Sequence, residues 1–555
     1  TVADDENQCA NGCRCNDNSA NCSHLGIGVV PHWDSFNVSL VALDLTGNAL
    51  DSLDEDALTG YVSVRNMSFR NNAIKSVHRT AFQGLSEGLV YLDLSDNVIR
   101  TVDSETFTFI PKLEVLLMSN NSIAVLNSAV FSDLTRLRHL DVSLNHLSGV
   151  SDGTFEGNGQ LEFLSLRHNG IQSISKSTFR GQRSLKHLDL SQNSIRVIER
   201  GAFSALSQLE WLSLSQNNVK KVDTGFCESI KQVLYLNLSG NIIDFINSQS
   251  FTKCSQLETL SIAHNNVSEL PQQALYGLFN LTHLDVSHNR LTHFGPEVFA
   301  GVTSEMSVSG TGSTEHHDSS AVCAQYRSLY RDLKFLELDN NEITSLDQCV
   351  FAPTRSLQVI DMAANNLSAL DYRIFLPLKN VSSFDISCNR LNTVDRQTAQ
   401  WILETDTAVN LTGNPWRCDC GAVYTFYRMS REGTGKNLTL RCENPAELRG
   451  ESWDILEEKC RPTVTPQLPT ISTVTKSTVK TRSRKISQPF QFSTTDQRDV
   501  SFEESSPGNS PSTPARLVLS LSMLAVAVYI VALALIVTTR QYRVTCGNDS
   551  DRTRS

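Results

Sequence analysis

One short phrase recurs along most of this 555-residue chain, and its spacing limits the folds open to it. Segments of the form L-x-x-L-x-L-x-x-N-x-L repeat with a step of 24 residues almost everywhere. A fixed period of this size predicts one short parallel strand per turn of a solenoid, with the leucines buried on one side. The repeated asparagines are Asn48, Asn72, Asn97, Asn121, Asn145, Asn169, Asn193, Asn217, Asn241, Asn265, Asn289, Asn341, Asn365, Asn389 and Asn414.

Two side-chain columns follow from this period. An inward-pointing asparagine carries two donors and an acceptor, so it must pair with the backbone of adjacent turns and form a ladder. Phenylalanines stand ten residues after most of the asparagines, and stacked turns would place their rings over one another as an apolar spine on the convex side. These are Phe82, Phe107, Phe131, Phe155, Phe179, Phe203, Phe251, Phe299, Phe351 and Phe375.

Because both registers agree, residues 40–414 resemble the extracellular leucine-rich-repeat family, in the 24-residue class that includes Toll-like receptor ectodomains. The resemblance implies an α/β solenoid: a horseshoe with parallel strands on the concave face and a cysteine-rich cap at each end. It also implies a membrane receptor of innate immunity or cell adhesion. Toll-like receptors carry a cytoplasmic TIR domain, and this sequence contains none.

Cysteines cluster in residues 1–39 and 415–461, which we interpret as the two caps. Their spacing alone cannot choose the pairs. The resemblance implies the bridges Cys9–Cys15, Cys13–Cys22, Cys418–Cys442 and Cys420–Cys460. Further candidate bridges are Cys227–Cys254 and Cys323–Cys349, with Cys388 expected as a buried free thiol. A zinc site is the alternative, but sequons and a membrane segment favour an oxidising compartment.

The composition changes after the second cap. Residues 462–515 are rich in Thr, Ser and Pro, which predicts an extended stalk. Residues 516–539 contain an uncharged apolar run of about 23 residues, long enough to cross a bilayer as a helix. Arginines follow it, so residues 540–555 are predicted to be a short cytoplasmic tail. With a start at Thr1 that fits a removed signal peptide, these features predict a single-pass type I plasma-membrane protein.

Glycosylation sequons are unevenly spaced along the repeats. They occur at Asn37, Asn66, Asn120, Asn237, Asn266, Asn280, Asn366, Asn380, Asn410 and Asn437. Asn66, Asn237 and Asn410 fall at concave positions, where a glycan would shield the sheet. Between Asn121 and Val233 there is no sequon, which leaves a bare window for recognition.

A column of large side chains crosses this window. The third position of each strand phrase points out of the concave face, and aromatic groups on a rigid sheet are typical of binding hot spots. The predicted ligand-binding residues are Tyr91, His139, Phe163, Arg167, His187, Trp211 and Tyr235. The alternative is that neighbouring rings stack only to stabilise the sheet.

The period fails once, between Asn289 and Asn341, which lie 52 residues apart. The polar segment near residues 302–332 is either a degenerate turn or a loop that interrupts the solenoid. A Cys323–Cys349 bridge would staple it.

Catalytic motifs are missing from the sequence, so we predict no enzyme, no cofactor and no metal. The net charge of -11 argues against generic nucleic-acid binding. Two functions fit. One is a receptor or co-receptor without its own signalling domain, which binds an extracellular protein or microbial ligand and acts with a membrane co-receptor or as a homodimer. The other is an adhesion molecule that acts by homophilic or heterophilic solenoid pairing.

Overall fold

The computed structural model describes residues 12–460, except residues 17, 33, 35–39, 86–87, 300–322, 324–325, 327–329 and 432–439. Cys9, Asn37, Asn437 and the predicted stalk, membrane span and tail therefore lie outside the described residues, as does most of the predicted insertion. In residues 12–460, apart from these gaps, each helix is too short or too polar to cross a bilayer.

Short strands, one per turn, form a single sheet of 17 strands in the described chain. Their central residues, such as Leu140, Leu164 and Leu188, are fully buried, so one face of the sheet covers the core. The strands are Arg14–Asn16, Ser19–Asn21, Ala42–Asp44, Asn66–Ser68, Tyr91–Asp93, Val115–Leu117, His139–Asp141, Phe163–Ser165, His187–Asp189, Trp211–Ser213, Tyr235–Asn237, Thr259–Ser261, His283–Asp285, Phe335–Glu337, Val359–Asp361, Ser383–Asp385 and Ala408–Asn410.

Strand pairing is parallel from Ser19–Asn21 onward, and it joins residues at the same place in successive turns. His139 pairs with Phe163, for example, and Phe163 with His187. The register continues across the irregular interval, because His283 pairs directly with Phe335. The interval therefore adds no strand between these two, which favours the loop interpretation over a hidden turn.

The predicted asparagine ladder is present and links each turn to the one before it. Asn193 shows the pattern: its Nδ2 donates to Leu190 O at 3.0 Å and to Leu166 O at 2.9 Å. Its Oδ1 accepts from Ile171 N at 3.1 Å. The same three bonds recur from Asn48 to Asn414, so the amide satisfies backbone groups that the short strands leave without partners.

The phenylalanine spine is confirmed over the first half of the repeats. Six rings from Phe82 to Phe203 stack with centroids 6.0–6.5 Å apart, and all of them are buried. The stack ends at Phe203, where Phe226 meets the ring edge-on at 5.9 Å. The next residue, Cys227, stands midway in sequence between Phe203 and Phe251 and is bonded to Cys254. A disulfide thus takes the place of a ring in that turn.

In most of the described repeats, turns and short 3-10 helices return the chain from one strand to the next, so the α/β class holds only loosely; an α-helix does so between Ser383–Asp385 and Ala408–Asn410. In these returning segments, two-residue strands form three parallel pairs: Ser52–Leu53 with Ser76–Val77, Ser173–Ile174 with Val197–Ile198, and Lys221–Val222 with Phe245–Ile246. The described 3-10 helices are Gln83–Leu85, Phe226–Glu228, Pro296–Val298, Tyr372–Phe375 and Ala446–Leu448. The described α-helices are α1 (Arg396–Glu404), α2 (Ala422–Met429) and α3 (Ile455–Lys459).

Disulfides lie at both ends and in the irregular turns. At the start, a hairpin of Arg14–Asn16 with Ser19–Asn21 is bridged by Cys13–Cys22 and leads into the parallel sheet. The other described bridges are Cys227–Cys254, Cys323–Cys349, Cys418–Cys442 and Cys420–Cys460. Cys15 is disulfide-bonded, but its expected partner Cys9 is not among the described residues. The expectation of a buried free thiol at Cys388 was wrong, because this residue is partly exposed and disulfide-bonded.

Candidate functional site

The face of the sheet that points away from the core carries the predicted ligand column, and we call it the open face. Five of the predicted residues form one continuous stack of rings along it. Ring centroids are 4.0 Å apart for His139 and Phe163, and 4.5 Å for Phe163 and His187. They are 3.9 Å apart for His187 and Trp211, and 5.2 Å for Trp211 and Tyr235. Ring planes tilt by 16° at most, because parallel strands in register hold each side chain beside the next.

All five rings are partly exposed. Their faces cover one another, so the parts that remain open to a partner are mainly edges. We call these five residues the ring stack.

A line of alternating charges runs beside the ring stack, at the residue before each strand from Val115–Leu117 to Trp211–Ser213. Arg138 bonds to Glu162 at 2.5 Å, and Lys186 bonds to the same carboxylate at 3.0 Å. Glu114 and Glu210 continue the alternation at either end. Partial burial acts to raise the pKa of Glu162, but the hydrogen bonds and charges of Lys186 and Arg138 together outweigh it and keep the pKa below its usual value. The three central charges are paired with one another, so they give the stack a fixed border.

Aspartates on the other side of the stack have a structural role. The Oδ1 atoms of Asp93, Asp141, Asp189 and Asp285 each accept from the backbone N–H two residues later, at 2.9–3.0 Å. This bond fixes the turn that follows the strand. It explains these aspartates without any ligand.

Arg167 lies beyond the end of its strand and is exposed. Its Nε donates to Gln192 Oε1 at 3.0 Å, and Gln192 Nε2 donates to Gln216 Oε1 at 2.7 Å. These three side chains form a second line across three turns. The line orients the guanidinium group of Arg167.

Tyr91 is the one predicted ligand residue that the structure sets apart. Val115 pairs with both Tyr91 and His139, so a small aliphatic side chain separates Tyr91 from the first ring. Thr259 interrupts the column at the other end, after Tyr235. Beyond it, His283 and Phe335 form a separate ring pair at 4.2 Å. Phe335 is not among the predicted ligand residues, because it lies after the irregular interval, 52 residues beyond His283 instead of 24.

The imidazoles of the stack resist protonation. Burial among the neighbouring groups lowers the pKa of His139 to about 4, although Asp141 raises it slightly. Burial, followed by the charge of His139, lowers the pKa of His187 to about 3. Both rings are therefore neutral at pH 7 and remain so in mildly acidic solution.

Acidification should lower the stability of the folded chain, because the pKa values of His139 and His187 are lower in the folded state than in the unfolded state. An unfolded histidine titrates near pH 6.5, so below that pH the unfolded chain binds protons that the folded chain does not. The free energy of unfolding should fall as the pH falls from about 6.5 towards about 4 and should gain nothing from these groups above 6.5. Thermal denaturation at a series of pH values would measure it, with the His139→Phe/His187→Phe double variant as the non-titrating control. Equal pH slopes for the two proteins would contradict the assignment.

Three sequons lie on the open face, and all are outside the ring stack. Asn66 pairs with Tyr91, and Asn410 pairs with Asp385. Asn237 lies directly beside the last ring, because its Nδ2 donates to Tyr235 Oη at 3.2 Å. Of the remaining described sequons, Asn120, Asn280 and Asn380 are exposed, while Asn266 and Asn366 are partly exposed.

Other parts of the described chain offer less. A cleft with a volume of about 220 Å³ is lined in part by Cys323, Ala352, Arg355 and Leu376, and it contains none of the predicted ligand residues. In the described residues, no three His, Cys, Asp or Glu side chains are grouped so as to hold a metal ion.

Comparison with protein families gives one match, to the family described as Leucine rich repeat. It matches residues 62–123, 111–171, 161–219, 212–267, 255–304 and 331–391. Together these segments cover more than half of the chain. No curated protein matches the sequence.

Solved structures share the fold. A leucine-rich repeat protein of Leptospira interrogans has a TM-score of 0.53 at 21% identity, over 70% of this chain and 95% of that one. A chain of the LRIM1/APL1C complex has a TM-score of 0.53 at 18% identity, over 80% and 71%. TLR13, solved with ssRNA13, has a TM-score of 0.47 at 20% identity, over 77% and 69%, which is too low to support an argument. At these identities the likeness shows the fold alone.

Proposed function

Since the chain belongs to the leucine-rich repeat family, whose solenoids typically serve as scaffolds for protein interaction, we propose that it is a cell-surface receptor or co-receptor. In this proposal its open face binds an extracellular protein or microbial ligand. The apolar run at residues 516–539 would anchor it as a single-pass type I protein of the plasma membrane. The proposal also includes a membrane partner that takes part in signalling.

The ring stack is the observation that carries the proposal. It places five partly exposed rings on a rigid sheet, where binding costs little side-chain entropy, and Trp, Tyr and Arg are the residues most often found at hot spots. The stretch between Asn121 and Val233 holds no sequon, so no N-linked glycan would cover four of the five rings. The rings would then be accessible to a partner as large as a protein.

Removing two rings should weaken ligand binding by at least about thirtyfold, because even one hot-spot truncation costs about 2 kcal/mol or more. The test uses the Phe163→Ala/Trp211→Ala double variant of the full chain displayed on cells. Wild-type cells are first probed with an array of secreted and microbial proteins, and each hit is then titrated on the variant. Phe245→Ala is the matched control, because Phe245 is 51% exposed and lies outside the open face.

If the rings stack only to stabilise the sheet, the double variant would lower the melting temperature and leave the affinity of every hit unchanged. That outcome would remove the open face from the proposal. Surface expression of the variant, checked with an antibody to the first cap, separates misfolding from lost binding.

Adhesion by pairing of solenoids is the other function that this family supports. A cell-aggregation assay distinguishes it from the receptor role. Clustering of transfected cells without added ligand would favour adhesion. Absence of clustering, together with capture of a membrane partner by proximity labelling, would favour the receptor.

A further inference from the structure

Arg167 differs from the residues at the same place in neighbouring turns. Those residues are small hydroxyls, and a guanidinium group among them projects beyond its neighbours into solvent. They are Ser95, Ser119, Ser143, Ser191, Ser215 and Ser239.

The guanidinium group of Arg167 is oriented by one hydrogen bond and keeps its terminal nitrogens open to a ligand. Its Nε donates to Gln192, and Gln192 in turn donates to Gln216. Within the described residues, the two terminal nitrogens of Arg167 make no hydrogen bond and no ion pair. A planar fork with two free N–H edges, already oriented by its third nitrogen, matches the geometry of a carboxylate.

The other cations of the open face in this window are already paired, and its aspartates are already hydrogen-bonded. Arg138 and Lys186 share Glu162. Asp141 and Asp189 accept from the backbone of their own turns. Asp189 is close enough to feel the charge of Arg167, but the two side chains form no ion pair in the described chain. A partner would therefore find one cation on offer beside a neutral line of rings.

The distances suit a partner of protein size. Arg167 follows Phe163 by four residues, which is about 13 Å along an extended chain. The five rings cross four strand spacings, or about 19 Å. A ligand that touches both covers about 250 Å², roughly a third of the ~800 Å² that each partner buries in a specific protein complex. The remaining area would come from the rim.

We infer that the partner of the open face is a protein that presents an Asp or Glu side chain to Arg167, next to an apolar ridge that lies along the edges of the ring stack. The inference rests on the proposed function and gives its ligand a chemistry. The carboxylate fixes the orientation of the partner across the sheet, and the ridge supplies buried apolar area.

A selection without a known ligand tests the inference. Cells that display the full chain are probed with a yeast-displayed library of random 12-residue peptides, and enriched clones are sequenced and titrated. We expect Asp or Glu next to Leu, Ile or Phe in the clones that lose binding to Phe163→Ala/Trp211→Ala. For these clones, Arg167→Ala should lower affinity by about tenfold or more, because bonds to a charged group are the stronger ones. Arg167→Glu should abolish binding, and Arg167→Lys should give an intermediate value. Arg183→Ala, which removes another exposed arginine, should change nothing.

Three outcomes overturn the inference. Clones that need the rings but contain no enriched acid, or that tolerate Arg167→Glu, would leave the proposed function standing and remove the carboxylate. Clones that tolerate both the ring and the Arg167 variants would count against the proposed function as well. Failure to enrich any clone on wild-type cells would do the same.

Discussion

Asn193→Leu should destabilise the solenoid by about 3 kcal/mol or more, because each buried polar group left without a partner costs about 1–3 kcal/mol. The substitution keeps the branching of the side chain but replaces its amide with methyl groups, which removes the bonds to Leu166 O, Leu190 O and Ile171 N. Asn193 is buried, so water cannot replace these bonds. The effect should appear as a lower melting temperature and as reduced delivery of the chain to the cell surface.

Asn218→Leu provides a matched control for that substitution. Asn218 follows the ladder residue of the next turn, but it is partly exposed and its side chain makes no hydrogen bond in the described structure. We expect a change within about 0.5 kcal/mol for it, as for other surface substitutions. If Asn193→Leu and Asn218→Leu had equal effects on the melting temperature, the ladder would not be the source of stability proposed here.

Phe155→Ala should cost about 3–5 kcal/mol, the usual range for removing a buried phenylalanine ring. Its ring is fully buried between Phe131 and Phe179, at centroid distances of 6.2 and 6.5 Å. The turns are stacked one on the next, so neither neighbour can close the gap without shifting its own turn. Thermal denaturation would measure the loss.

Two further variants bracket the Phe155→Ala result. Phe155→Leu keeps part of the volume and should cost less than half as much, since the residual cavity is smaller. Phe245→Ala removes a half-exposed ring that lies outside the main sheet, in the two-residue strand Phe245–Ile246, and should have a small effect. A loss from Phe155→Ala no larger than that from Phe245→Ala would mean that the spine adds little to stability.

The repeat, the ladder and the spine could be predicted because each depends on a spacing that the sequence displays directly. A buried asparagine every 24 residues has few ways to satisfy its amide, and the backbone of the adjacent turn is the nearest. The spine was predicted too far, since the column of stacked rings ends at Phe203. The cause is visible in the sequence, because the next turn has Cys227 at the place where the preceding turns have phenylalanine.

The candidate site was predictable as a column but not as a contact. Tyr91 and Tyr235 occupy the same place in their turns, yet only Tyr235 joins the ring stack, because Val115 separates Tyr91 from His139. The charged border of Arg138, Glu162 and Lys186 lies one residue before the strands, outside the column on which the predicted site is based. Acidic and basic residues alternate at that place, and this signal would have revealed it.

The direct pairing of His283 with Phe335 separates the length of the irregular interval from the integrity of the sheet. Asn341 donates to Val286 O at 3.0 Å and accepts from Leu291 N at 2.9 Å, as though the residues between had been excised. The sheet and the asparagine ladder therefore close across the interval without using the residues that lie between. A change of length within this interval would leave the register of the strands on either side unchanged, because those strands pair directly with each other.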